Sequence, residues 1–347
     1  MSKLIRLSKC PIVTAAVFAV VVAHGQIFTA NFFTGTIGEY NLNGTPINTA
    51  LITGLGGGIY GLAVKENGNL LVANYYSGKI GEYTTSGVTV TNALVTGLNN
   101  PTGIAVDGSG HLFVAESGNN VISEYTTVGA IINASLISGL GVSWGLVVTN
   151  GYIYQMNGFD REGSIGKYTT DGTMVNPSLI TGLNSPVGLT LGTNGNLYVG
   201  SANDGTVGEY STSGTTIKSN LISGLGGVHG LAFDAKGDLF VANWPNPYLT
   251  SANIGEYNSA GTAINAKLIQ GLGGVENLVV ITTPEPTRLT IVLSGTNAIL
   301  TWPTNASLFN LQCATNLIAP VVWTVVSGQY AVTNPISSSQ MFYRLSQ

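Results

Sequence analysis

From residue 27 to residue 281 the chain is a succession of short apolar runs separated by polar breaks rich in Gly, Asn, Asp, Ser and Thr. The runs are built from Val, Ile, Leu, Phe and Tyr, the mark of strands bounded by turns. The pattern also repeats. "IGEYNLNG" from Ile37 returns from Ile80, Ile122, Ile165, Val207 and Ile254, as "IGEYTTSG", "ISEYTTVG", "IGKYTTDG", "VGEYSTSG" and "IGEYNSAG". Its tyrosines, Tyr40, Tyr83, Tyr125, Tyr168, Tyr210 and Tyr257, are spaced by 43, 42, 43, 42 and 47 residues. A second phrase, "TGL" or a close relative, ends at Leu55, Leu98, Leu140, Leu183, Leu225 and Leu272 with the same spacing. "GLAV" (61–64) has counterparts in "GIAV", "GLVV", "GLTL", "GLAF" and "NLVV", and "LLVAN" (70–74) in "LFVAE", "IYQMN", "LYVGS", "LFVAN" and "IFTAN".

Four short strands per 40–45 residues is the period of a β-propeller blade. Helical repeats of that length would need apolar residues at 3.6 spacing over about a dozen positions, and the Gly-broken runs exclude it. "KENGN" and "DGSG" supply the Asn-Gly and Asp-Gly of tight hairpins. The expectation is a six-bladed propeller over residues 26–281. In each blade "GLAV" is innermost, followed by "LFVAN", "IGEY" and "ALITGL". Because "IFTAN" opens the repeats and "NLVV" ends them, one blade should be completed by strands from both ends, which removes an exposed edge. The Glu of "GEY", replaced by Lys167 in one unit, reads as a solvated position without a role. After a linker at 282–287 the period stops. Runs such as "RLTIVLSG" and "LFNLQCA" in 288–347 predict a small immunoglobulin- or fibronectin-like β-sandwich.

Residues 1–25 stand apart. Lys3, Arg6 and Lys9 precede an apolar run from Pro11 to Ala23, and Ala23 and Gly25 are small residues at cleavage positions, the grammar of a secretory signal peptide. The run is short for a membrane span, which takes about 20 apolar residues. Cleavage near Gly25 would give a secreted chain with no membrane span, one cysteine (Cys313, read as a buried thiol), and 9 Lys and Arg against 16 Asp and Glu. That balance argues against nucleic acid, which requires clustered cations.

"NNPTGIAVDGSGHLFVAESGNNVISEY" (99–125) resembles NHL-repeat propellers, and "GLAVKENGNLLVANYYSGKIGEYTTSG" (61–87) is similar to the repeat of the virginiamycin B lyase group. The gluconolactonase and senescence-marker propellers are a more distant resemblance, and the tail is similar to C-terminal modules of secreted bacterial proteins. The resemblance implies the fold over 26–281. It leaves function among lyase, lactonase and binding module, because fold does not decide chemistry.

Comparison between the six units sorts scaffold from candidates. Around the channel mouth the inner strands contribute Tyr60, Thr102, Trp144, Val187, His229 and Glu276, and the second strands end in Asn31, Asn74, Glu116, Asn157, Ser201 and Asn243. The following loops add aromatics, among them Tyr75, Phe159, Trp244 and Tyr248. Tyr60, Tyr75, Trp144, Phe159, Trp244 and Tyr248 would stack on a ligand, or else pack between blades. His229 has the chemistry of a general base near neutral pH, or is a loop hydrogen-bonder. Resemblance to the lyases implies a His acting beside carboxylate-held Mg²⁺, yet Asn243 stands where a Glu is wanted. Oxygen donors at the strand ends suit Ca²⁺ or Mg²⁺, with Glu116, Glu276 and Asn243 as ligands; alternatively the Asn residues cap turns. The leading expectation is a secreted, non-catalytic propeller binding an extracellular glycan, peptide or small molecule. The rivals are a divalent-metal lactonase or lyase using Glu116, His229 and Glu276, and an adhesion protein attached through its tail.

Overall fold

A computed structural model of the chain describes residues 5–8, 25–158, 162–244 and 252–282, and the strand stretches 290–294, 297–301, 310–314, 324–325, 331–335 and 340–346. Two compact units result, one formed by Gly25–Thr282 and the other by the two ends of the chain.

The first unit is an all-β propeller of six four-stranded antiparallel blades. In the blade of Ile59–Val64, Leu70–Asn74, Lys79–Tyr83 and Thr89–Thr96 the strands pair in sequence order, innermost first. Four further blades repeat that order. In the remaining one, Val275–Thr282 pairs with Gly25–Asn31, which pairs with Thr36–Asn41 and then Pro46–Ile52. The C-terminal end of the repeats therefore supplies the innermost strand of the first blade, as the phasing of the phrases predicts. Counting this as blade 1, blades 2 to 6 follow in chain order.

Second strands are buried throughout, while outer strands expose most of their length before ending in a buried anchor such as Ile52, Val95 or Ile137. Apolar side chains from adjacent blades merge into shared clusters, for example Ala63, Leu71 and Ile80 with Ile104, Leu112 and Val114. Interblade burial of this kind is what a single blade cannot achieve alone.

Five inner strands carry Gly at their third position, and at four of them the next inner strand passes directly over it. A Cβ would lie 2.4 Å from the Thr102 carbonyl oxygen at Gly61, 2.8 Å from Gly145 Cα at Gly103, 2.5 Å from the His229 oxygen at Gly188 and 2.9 Å from Asn277 Cα at Gly230. At Gly145 the neighbour is the Met156 side chain. The sixth position is Asn277, whose Oδ1 accepts from the Leu278 amide.

The third-strand acid is not the solvated position the sequence suggests. Glu39, Glu82, Glu124 and Glu209 are buried. Each points along its blade toward the start of the second strand and the hairpin before it. Glu82 accepts from Lys65 Nζ at 2.9 Å and from Asn69, and Glu209 from Asn194, Asn196 and Tyr198. Glu39 accepts from Gln26, and Glu124 lies 3.3 Å from His111 Nδ1. In blade 4 Lys167 replaces the acid by placing its Nζ 4.1 Å from the centre of the Tyr152 ring. Buried polar groups need such partners, so this phrase recurs as a latch as well as a strand.

In the second unit Ile5–Ser8, Gln340–Ser346, Asn310–Ala314 and Thr324–Val325 form one sheet, and Thr290–Ser294, Asn297–Thr301 and Ala331–Pro335 another. Cys313 is a half-buried free cysteine whose thiol is pushed up in pKa by burial. Among the described residues no helix is long and apolar enough to cross a membrane.

Candidate functional site

At the end of the propeller where inner strands begin and second strands finish, the departures from the repeat come together. A narrow channel of about 50 Å³ runs inside the ring of inner strands, lined among others by Tyr60, Trp144, Val187, His229, Glu276 and Asn277. It is narrow because the inner-strand glycines let neighbouring backbones close on the axis.

His229 and Glu276 occupy the same position on adjacent inner strands, and His229 Nδ1 lies 2.9 Å from Glu276 Oε2. A carboxylate only accepts, so Nδ1 carries the hydrogen, and a neutral imidazole then holds its lone pair on Nε2. Both side chains are largely buried, at 14% and 7% exposure. The imidazole rests against Trp244 with ring centres 5.0 Å apart. On the inner strand next to that of Glu276, Tyr60 contacts Phe32, Tyr75 and Trp144 at centroid distances of 5.2, 5.1 and 5.3 Å. Burial, followed by the charge of Glu276 and the neighbouring Tyr75 and Tyr76, drives the Tyr60 hydroxyl well above its ordinary pKa. The aromatic wall and the carboxylate thus share one chamber.

Tyr76 and Phe33 carry the wall outward, exposed at 66% and 47%. Trp244 differs: at 3% exposure it belongs to the core between blades 6 and 1, with Ile27, Tyr40 and Ile254. It supports Phe32 and Phe33 at 6.2 and 5.5 Å. Its role as a direct ligand contact gives way to packing, since a flat ring between apolar blades is worth more buried. Phe159 and Tyr248 lie outside the described residues.

The second-strand ends do local work. Asn74 donates to the Leu55 oxygen and accepts from Ser77 N, while Asn243 Oδ1 accepts from Gly226 N and Gly227 N. Glu116 substitutes for Asn in the same task, accepting from Asn99 N at 2.8 Å, Asn119 Nδ2 at 3.3 Å and Ser123 Oγ at 2.7 Å. The oxygens of Glu116 and Asn243 are thus engaged with loop donors, and Glu276 Oε2 with His229. Among the described residues no three His, Cys, Asp or Glu side chains are grouped as a metal site. The contact sequence reasoning missed is His229 with Glu276, 47 residues apart. Its signal was present: both hold the inner-strand position preceding Gly or its Asn277 counterpart, in consecutive units.

The sequence profile of the virginiamycin B lyase family matches residues 7–270. No protein of curated function matches the sequence significantly. Among solved structures, the nidogen/laminin complex includes a chain 19% identical, with a TM-score of 0.62, covering 74% of this chain and 98% of its own. A catalytically inactive virginiamycin B lyase from Staphylococcus aureus with quinupristin is 18% identical at a TM-score of 0.53, with coverages of 87% and 96%. A gluconolactonase from Xanthomonas campestris is 14% identical at 0.52, with coverages of 98% and 96%. At these identities the structures share the fold.

Proposed function

This chain belongs to the virginiamycin B lyase family, and on that premise we propose that it is a secreted, non-catalytic propeller that binds an extracellular small molecule, peptide or glycan at its channel mouth. The observation that carries the reading is the chamber itself. Aromatic rings from blades 1, 2 and 4 meet the His229–Glu276 pair at the point where the repeat is least regular. Rigid rings with one or two convergent polar groups are the composition of small-molecule sites. The reading requires no bound ion. Cleavage near Gly25 would leave the first propeller strand to start at Gln26 and keep its pairing with Ile281. In this reading the C-terminal strands form an immunoglobulin- or fibronectin-like module that serves attachment.

One observation favours a second reading, lyase or lactonase chemistry. An imidazole whose Nδ1 is held by a carboxylate presents Nε2 as a base, and two relatives are named for a lyase and a gluconolactonase. The test combines binding and turnover. Small-molecule, peptide and glycan libraries are screened by ligand-observed NMR against the wild-type protein and Trp144→Leu. Quinupristin and gluconolactone are incubated with wild type and His229→Ala and followed by chromatography and mass spectrometry. Binding that depends on Trp144 without turnover supports the first reading. Turnover lost in His229→Ala replaces it with the second.

A further inference from the structure

The chamber's charge balance defines the class of ligand further, an argument that rests on the reading of the mouth as a binding site. Its lining contains one carboxylate, Glu276, one histidine, His229, and no Lys or Arg. Glu276 is largely buried, and His229, at 2.9 Å, is the one titratable side chain beside it in the lining besides Tyr60. Burying a charge without a counter-charge is costly, and in the lining the nearby groups are aromatic rings whose faces are themselves negative. The whole chain is acidic, with a net charge of −4, which adds a weak field in the same direction.

We infer that the channel mouth recognises an organic cation, its ammonium head resting against the Tyr60 and Trp144 rings beside Glu276. Aromatic faces joined by a carboxylate attract such heads in preference to neutral groups of the same shape. Anions are repelled by Glu276. The size of the channel also selects, since about 50 Å³ accepts a small head group and leaves the rest of the ligand outside. There it would lie across the exposed rings of Tyr76 and Phe33.

The test uses matched probes on the full chain: propylammonium against butanol, and choline against 3,3-dimethylbutan-1-ol, its uncharged isostere. Dissociation constants come from ligand-observed NMR at constant ionic strength. At least one cation should bind about ten-fold more tightly than its neutral partner, in keeping with a desolvated cation–aromatic contact and a charge pair. Glu276→Gln, checked for an unchanged melting transition, should weaken that cation by about five-fold or more while leaving the alcohol little changed, and Trp144→Leu, checked likewise, should weaken the cation by more than it weakens the alcohol. Equal binding of cation and isostere by the wild-type protein overturns the inference without recourse to any variant. Cation binding indifferent to Glu276→Gln overturns it as well. If neither cation binds but a neutral ligand from the library screen does so through Trp144, the cation class fails and the mouth stands as a binding site. If nothing binds in a Trp144-dependent way, both fail.

Discussion

Gly188→Ala probes the axis of the propeller with one methyl group. A Cβ at this position would sit 2.5 Å from the His229 carbonyl oxygen and 3.1 Å from Leu231 Cγ, whereas ordinary contact begins at 3.4 Å. The next inner strand must therefore retreat by 0.9 Å, the difference between those two distances. The obstructing atom is backbone, so no rotamer change relieves it, and a close-packed interior transmits the displacement. Overpacking of this kind costs about 1–3 kcal/mol, and a backbone clash belongs at the upper end. At roughly 2–4 °C per kcal/mol for a domain of this size, the melting temperature should fall by about 6–12 °C. Gly108→Ala is the control. No heavy atom lies within 4 Å of its Cβ and its φ is not positive, so its change should stay within about 0.5 kcal/mol. Both are read by calorimetry or by circular dichroism melts. Because the displaced strand carries His229, Gly188→Ala should also weaken ligand binding at the mouth. If the two variants melt within about 2 °C of each other, the inner strands do not close on one another as described and the reasoning is wrong.

Lys65→Met should destabilise by about 3 kcal/mol, because it strands the buried Glu82 carboxylate and removes the Lys65 bond to the Thr127 oxygen of blade 3; urea denaturation measures it. Burial raises the Glu82 pKa, but bonds from Asn69 and Lys65 outweigh it and hold the group below its ordinary value of 4.5. Its stabilisation is therefore complete above that value and lost as pH falls through the folded pKa, a loss that Lys65→Met should reduce. Glu256 shows the opposite sign. Burial and then the charges of Asp238 and Asp234 raise its pKa above 4.5, so stability is lost as pH rises from that ordinary value through the folded one, and the loss is complete above it. Glu256→Gln should raise the melting temperature at pH 7 and leave it unchanged at pH 4; an equal shift at both would refute the assignment. Ending the chain at Gly274 removes the inner strand Val275–Thr282 of blade 1, and should abolish the cooperative transition that a chain ending at Thr282 retains. Chelator should leave the melting temperature unchanged, since the oxygens of Glu116 and Asn243 are already engaged with backbone and side-chain donors. A drop would show an ion holding the ring.

The amino-acid sequence by itself determined the propeller, its six blades, the strand order and the closure of blade 1. Each follows from local rules, strand period and turn chemistry, repeated often enough that phasing becomes arithmetic. It also singled out the inner-strand positions of Tyr60, Trp144, His229 and Glu276 as departures from the repeat. What those departures do was decided by tertiary structure. A sequence does not say which way a side chain near a strand end turns, and that direction made Glu116 a loop fastener, Trp244 an interblade filler and the third-strand Glu a buried latch. Contacts between blades join residues one or two repeats apart with no local signature, so His229 and Glu276, 47 positions apart, or Tyr60 and Trp144, 84 apart, meet only when the ring closes. The same closure explains four of the five glycines that precede a "LAV"-type run: the repeat shows that they recur, but only the packed inner strands show the backbone that Gly61, Gly103, Gly188 and Gly230 make room for.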